Sequence, residues 1–162
     1  MIIRRLTPDD AGELAAVLVE NREFLARSSP VQGKRFFTAE GQRERLESDG
    51  SERFAILDGG RIAGTVSLSS IVLDPLRSAT LGYWVAERLS GRGLATRAVR
   101  DVTGIAFEEL GLHRLEAATL VDNAPSQRVL EKNGFERIGL ARRYLQIAGE
   151  WRDHLLFQRT AG

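Results

Sequence analysis

The chain contains no cysteine, so it has no disulfide, no cysteine nucleophile and no thiolate metal site. Its two histidines offer little to a histidine-based metal centre, and no metal is expected. No apolar run approaches the roughly twenty residues of a membrane-spanning helix, so no membrane partner is expected. A net charge of +1 supplies no long-range field toward nucleic acid or an anionic bilayer, and direct nucleic-acid binding is not expected either. Repeats, low-complexity tracts and linkers are absent from the sequence. The opening Met1-Ile2-Ile3-Arg4-Arg5 reads as a strand rather than a signal peptide, which makes the cytoplasm the expected location. The composition is that of an ordinary globular protein. A length of 162 residues fits a single domain, 1–162, with a sizeable core.

Residues 2–6 read as a short strand. Thr7-Pro8-Asp9-Asp10 resembles a helix start, with a threonine cap, an early proline and acid in the first turn. Leu14, Val17 and Leu18 give that helix an apolar face. A second helical piece covers residues 21–25, residues 28–37 read as a loop, and Thr38 caps a further helix to about Ser48, broken by Asp49-Gly50-Ser51. From Arg53 the apolar period changes. Residues 54–57, the turn Asp58-Gly59-Gly60 and residues 62–68 form a hairpin. A turn around Pro75 leads to a strand over residues 79–85. After Gly93, the residues Leu94, Ala98, Val102 and Ala106 make one helical stripe that ends at Gly111. A strand over 115–121 follows, then a short helix from Asp122-Asn123-Ala124-Pro125 to Asn133-Gly134. A hairpin with strands at 144–147 and 151–157 closes the chain. The order predicts a mixed α/β domain around one central sheet.

The run from Tyr83 to Thr96 carries chemistry. A strand ends in a short loop, glycines flank an arginine in Gly91-Arg92-Gly93, and a helix starts at once. Such a loop brings backbone N–H groups close to a phosphate, and the helix behind it adds the positive end of its dipole. The site lies at the carboxyl end of a strand, where ligands collect in open α/β sheets. A nucleotide-binding loop of the kinase type needs Lys-Ser/Thr after the glycines. Here Leu94-Ala95-Thr96 follows, without a lysine.

Arg88-x-x-Gly91-x-Gly93-x-Ala95 is followed further along by Asn123-x-x-Ser126-x-x-Val129-Leu130-x-x-x-Gly134-Phe135. The pair, in this order and at this spacing, resembles the Gcn5-related N-acetyltransferases over nearly the whole chain. Glu20-Asn21-Arg22-Glu23-Phe24-Leu25, Leu81-Gly82-Tyr83-Trp84-Val85 and Tyr144-Leu145-x-Ile147-x-Gly149-x-Trp151-Arg152-Asp153-His154 resemble the RimJ/RimL-type branch, with RimJ-like enzymes the nearer match. That branch acetylates the N-terminal amine of ribosomal proteins, and it also holds members that act on other amines.

The resemblance implies a mixed, mostly antiparallel sheet of about seven strands flanked by helices and splayed between the fourth and fifth strands. It implies acetyl-CoA as co-substrate. Val85, Arg88, Leu89, Gly91, Arg92, Gly93, Leu94, Ala95 and Thr96 would hold its pyrophosphate and pantetheine arm, the two arginines helping to neutralise phosphate charge. Backbone at Val85 would pair with the arm and polarise the thioester carbonyl. Asn123 would bond the arm, and Ser126 would protonate the leaving thiolate. Many relatives outside this branch carry a tyrosine where this chain has Leu130, and some carry a glutamate base where it has Ala118. Glu116, two residues earlier and on the same strand face, is the remaining candidate for the base, beside a water chain to solvent.

Each of these residues also has a structural reading. Asn123 can be a helix N-cap, Ser126 an ordinary first-turn serine, and Glu116 the partner of a surface arginine. Tyr83 and Trp84 read as core. Asn21, Arg22, Phe24, Tyr144 and Trp151 read either as surface and core or as contacts to the acceptor. The expected acceptor is a protein N-terminus, that of a ribosomal protein in particular. A polyamine, aminoglycoside or other small amine is the alternative, and a non-catalytic CoA-binding module is the rival of a different class. Families of this kind often dimerise, which leaves a homodimer as an expectation.

Overall fold

The computed structural model describes residues 1–48 and 50–162; Asp49, part of the expected helix break, lies outside the described residues. Seven strands form one sheet: β1 (Ile3–Arg5), β2 (Glu52–Asp58), β3 (Arg61–Val72), β4 (Ser78–Val85), β5 (Arg114–Leu120), β6 (Glu136–Ile147) and β7 (Glu150–Thr160), in the order β1-β2-β3-β4-β5-β7-β6. All neighbours run antiparallel except β4 and β5. Among the described residues, five α-helices flank the sheet: α1 (Ala11–Glu20), α2 (Arg22–Ala26), α3 (Ala39–Ser48), α4 (Leu94–Gly104) and α5 (Ala124–Lys132).

The parallel pair positions the site. β4 and β5 bond only over Ser78, Ala79 and Thr80 against Arg114, Leu115 and Glu116. Past that point residues 81–85 and 117–120 have no register with each other, and the sheet opens into a wedge, the expected splay. The end of β4 is held by its other neighbour. Gly64 of β3 lies opposite Val85, and a Cβ at Gly64 would stand 2.0 Å from the Trp84 carbonyl oxygen. Only glycine permits that approach. The Ala86 N–H then donates to the Ala63 carbonyl at 2.8 Å and closes the strand.

The apolar stripe of α4 follows the sequence pattern, with Leu94, Ala98, Val99 and Val102 buried against the sheet. Phe54, Ile56, Val66, Leu68, Leu115 and Phe157 fill the core from the strands. Four expectations need correction. Lys34–Phe37, within the expected loop, is a 3-10 turn. Pro8–Asp10 is a separate 3-10 turn ahead of α1. The helix after Gly93 ends as α-helix at Gly104, and a π-helical turn, Ile105–Glu109, carries the chain on toward Gly111. β6 starts at Glu136, well before Tyr144. It is the sheet's edge strand, and residues 136–140 are exposed on both faces, so no apolar alternation marks it. An irregularity between Ala141 and Leu145, with Arg143 at φ 47°, breaks the pattern again. Among the described residues, no helix is long and apolar enough to cross a membrane.

Candidate active site

A cavity of about 430 Å³ occupies the wedge. Its floor is the end of β4 with Tyr83, Trp84 and Val85, and its far wall is α5. The unpaired edge of β4 leaves backbone donors and acceptors available to an extended ligand. At the mouth, Gly91 and Gly93 adopt φ of 79° and 77°, a left-handed conformation that glycine takes at little cost. Neither would bring a Cβ within 4 Å of another residue, so the space over the loop is open. Leu94, Ala95 and Thr96 follow as the first turn of α4, whose N–H groups have no intrahelical acceptor. Loop and helix end together form an anion cradle.

Val85, Leu89, Gly91, Gly93, Leu94, Ala95, Thr96, Asn123 and Ser126 all line this cavity. Arg88 and Arg92 do not; the first lies 3.8 Å from Glu20 and the second bonds Asp58 at 3.2 and 3.4 Å. The cations in the lining are Arg128 and Lys132, from α5. Both escaped the reading of the motif, although Pro125, Arg128, Val129 and Lys132 follow helical spacing and share one face.

Asn123 caps α5, its side-chain oxygen accepting the Ser126 N–H at 3.3 Å, and so fixes Ser126 in the first turn. The Tyr83 hydroxyl lies 2.7 Å from Ser126 Oγ and 3.2 Å from the Ser126 carbonyl oxygen. Tyr83 is thus no plain core residue. It spans the wedge from β4 to α5 and holds the serine. Burial pushes its pKa up to about 12, against the opposing pull of the Ser126 hydrogen bond. The phenol therefore stays protonated at neutral pH and acts as a donor. Its position two residues before Val85, on the same strand face, was the available signal.

Trp84 and Leu25 are shared with a second cavity, of about 360 Å³, bounded by α1, α2 and the segment before α3. Phe24 lines the first cavity and Arg22 the second, with the Arg22 guanidinium 4.3 Å above the Phe37 ring. Asn21 is buried and serves as a strut: it donates to the Val17 carbonyl at 2.8 Å and accepts the Glu87 N–H at 2.9 Å. Tyr144 and Trp151 are exposed on the last hairpin and line neither cavity, the Tyr144 ring lying 5.7 Å from that of His154. The hairpin reaches the second cavity through Ala148 instead, whose N–H donates to Ser29 at 3.2 Å. Glu116 sits at the closed end of the wedge, exposed and bonded to Arg114 at 2.8 Å. Among the described residues, no aspartate or glutamate lines either cavity.

Residues 1–136 match the family described as acetyltransferase (GNAT) domain. The chain is 41% identical over 161 residues to the probable N-acetyltransferase YjcK of Bacillus subtilis, covering 94% of this chain and 89% of that one. Its fold superposes on the ribosomal-protein-S5-alanine acetyltransferase of Vibrio fischeri with a TM-score of 0.93 and 33% identity, over 98% of this chain and 91% of that one. It superposes on Mycobacterium smegmatis RimJ in complex with CoA-disulfide with a TM-score of 0.88 and 31% identity, over 98% and 81% of the two chains.

Proposed function

The chain belongs to the GNAT acetyltransferase family and is an acetyl-CoA-dependent N-acetyltransferase, and we propose that its acceptor is the N-terminal α-amine of a protein. The glycine loop, the free N–H groups of α4, Arg128 and Lys132 suit the phosphates of acetyl-CoA, and the unpaired edge of β4 suits its pantetheine arm. When bound, acetyl-CoA supplies an activated acetyl group as a thioester and a thiolate leaving group. Ser126 holds a proton for that sulfur. Tyr83, a permanent donor, orients the serine: with its proton given to Ser126 Oγ at 2.7 Å, in place of the Ser126 carbonyl oxygen at 3.2 Å, the serine's own proton is free to be donated onward.

The observation that carries the acceptor reading is the lack, among the described residues, of a carboxylate in the lining of either cavity. A site without a built-in base favours an amine that is partly neutral on its own. An α-amine has a pKa of about 7.7–8.0, a lysine-type alkylamine about 10.4. Near neutral pH the neutral fraction of the first is therefore larger by a factor on the order of a hundred. A lining without acids also gives a polycation no counter-charge. The V. fischeri enzyme at 33% identity is named for an alanine of ribosomal protein S5, and alanine has no side-chain amine, which agrees with this reading. A ribosomal acceptor would place the enzyme in the cytoplasm.

At pH 7.5 a short lysine-free peptide is expected to show kcat/KM about a hundredfold above that of a polyamine, read as CoA release. Raising the pH to 9 should narrow the gap, because the peptide amine is then already neutral while the alkylamine is still gaining neutral fraction. A polyamine that outperforms the peptide at pH 7.5 would contradict the reading.

A further inference from the structure

The second cavity has a chemistry that acetyl transfer itself does not require. It begins on the Trp84 and Leu25 wall it shares with the acetyl-CoA cavity, so a group attached near the reacting amine falls within its reach. Leu18, Phe36 and Phe37 complete an apolar bowl, the two phenylalanine rings meeting edge-on at 5.1 Å. Val31 at the rim is 76% exposed, an apolar side chain left uncovered beside an apolar hollow.

Charge narrows what can enter. Arg22 is the one charged side chain in the lining among the described residues, and its guanidinium covers the face of Phe37. A lysine or arginine of the acceptor would meet a cation with no carboxylate to balance it. An acidic side chain would find Arg22, yet that cation is exposed and its attraction is weakened by solvent, while the carboxylate would lose its hydration against aromatic walls. An apolar side chain gives up no charge hydration on entry and covers the bowl.

We infer that this cavity is a specificity pocket for a large apolar side chain on one of the first two residues of the acceptor, an inference that rests on the proposed α-amine acceptor. Its order of preference is leucine or phenylalanine, then alanine, then aspartate, then lysine.

The test is a set of short peptides with free N-termini, varied separately at the first and the second residue, with kcat/KM read from CoA release. At one of the two positions, leucine or phenylalanine should exceed lysine by about tenfold or more. Phe37→Ala should flatten that preference. Val31→Asp changes the charge of an exposed rim residue without touching the core, so it reports even where Phe37→Ala fails to fold. It should raise the lysine peptide relative to the leucine peptide. Turnover of the whole set without discrimination, or with lysine preferred by the wild type, overturns this inference alone. No turnover of any free peptide overturns the α-amine reading and this inference with it.

Discussion

Ser126→Ala is expected to lower kcat about 10²–10⁴-fold, the usual contribution of a positioned acid, while acetyl-CoA affinity stays within a few-fold. The serine is held from two sides. The Asn123 cap fixes its backbone at 3.3 Å and Tyr83 fixes its hydroxyl at 2.7 Å. Removing Oγ ends the contact with the Tyr83 hydroxyl but keeps the Asn123 cap, the Tyr83 bond to the Ser126 carbonyl oxygen and the loop glycines, so the effect falls on turnover and not on binding. Tyr83→Phe serves as the comparator. It keeps the ring in the wedge and removes the phenol's hydrogen bonding to Ser126, so kcat should drop by about fivefold with KM little changed, the loss of a neutral hydrogen bond being worth on the order of 1 kcal/mol. Because the phenol pKa lies near 12, the wild-type profile should show no fall from Tyr83 ionisation up to pH 10. Equal turnover of Ser126→Ala and wild type would remove the serine from the chemistry. A Tyr83→Phe variant that loses as much as Ser126→Ala would make the phenol the acid itself.

Gly93→Val is the second large effect. At φ 77° a side chain costs about 1–2 kcal/mol, and a β-branched one more. The loop escapes that strain only by leaving the conformation that aims its N–H groups at the ligand. Acetyl-CoA must then restore the cradle at its own expense, and 2 kcal/mol corresponds to about thirtyfold in Kd. The valine side chain also stands in space that is open above Gly93, where a ligand backbone or phosphate would approach. Calorimetric titration should therefore show acetyl-CoA affinity weakened about thirtyfold or more, with the folded core intact because Gly93 is exposed. Unchanged affinity would mean that the loop does not hold the phosphates.

The two constellations that made the site recognisable are local. A positive-φ glycine pair before a helix and an asparagine cap three residues ahead of a serine are short-range features, and short-range features survive in a linear reading. Ser126 and the loop are legible as candidates in that way. Tyr83 reads as core in the sequence because its meaning is not local. It lies 43 residues from Ser126, and their bond exists only because β4 and α5 form opposite walls of the wedge. Asn21 and Glu87, 66 residues apart, are joined by the same kind of long-range geometry. The edge strand β6 was hidden for a different reason: residues exposed on both faces carry no period. Arg128 and Lys132 are legible in principle, since helical spacing puts them with Val129, but the family motif contains Arg88 and Arg92 instead.

Acetyl transfer to an α-amine is tested by CoA release from acetyl-CoA with a short peptide whose N-terminus is free, against the same peptide with a blocked N-terminus and an internal lysine. Release with the free peptide alone is the expected result. Release with the blocked lysine peptide, or none with either while acetyl-CoA still binds, would contradict it.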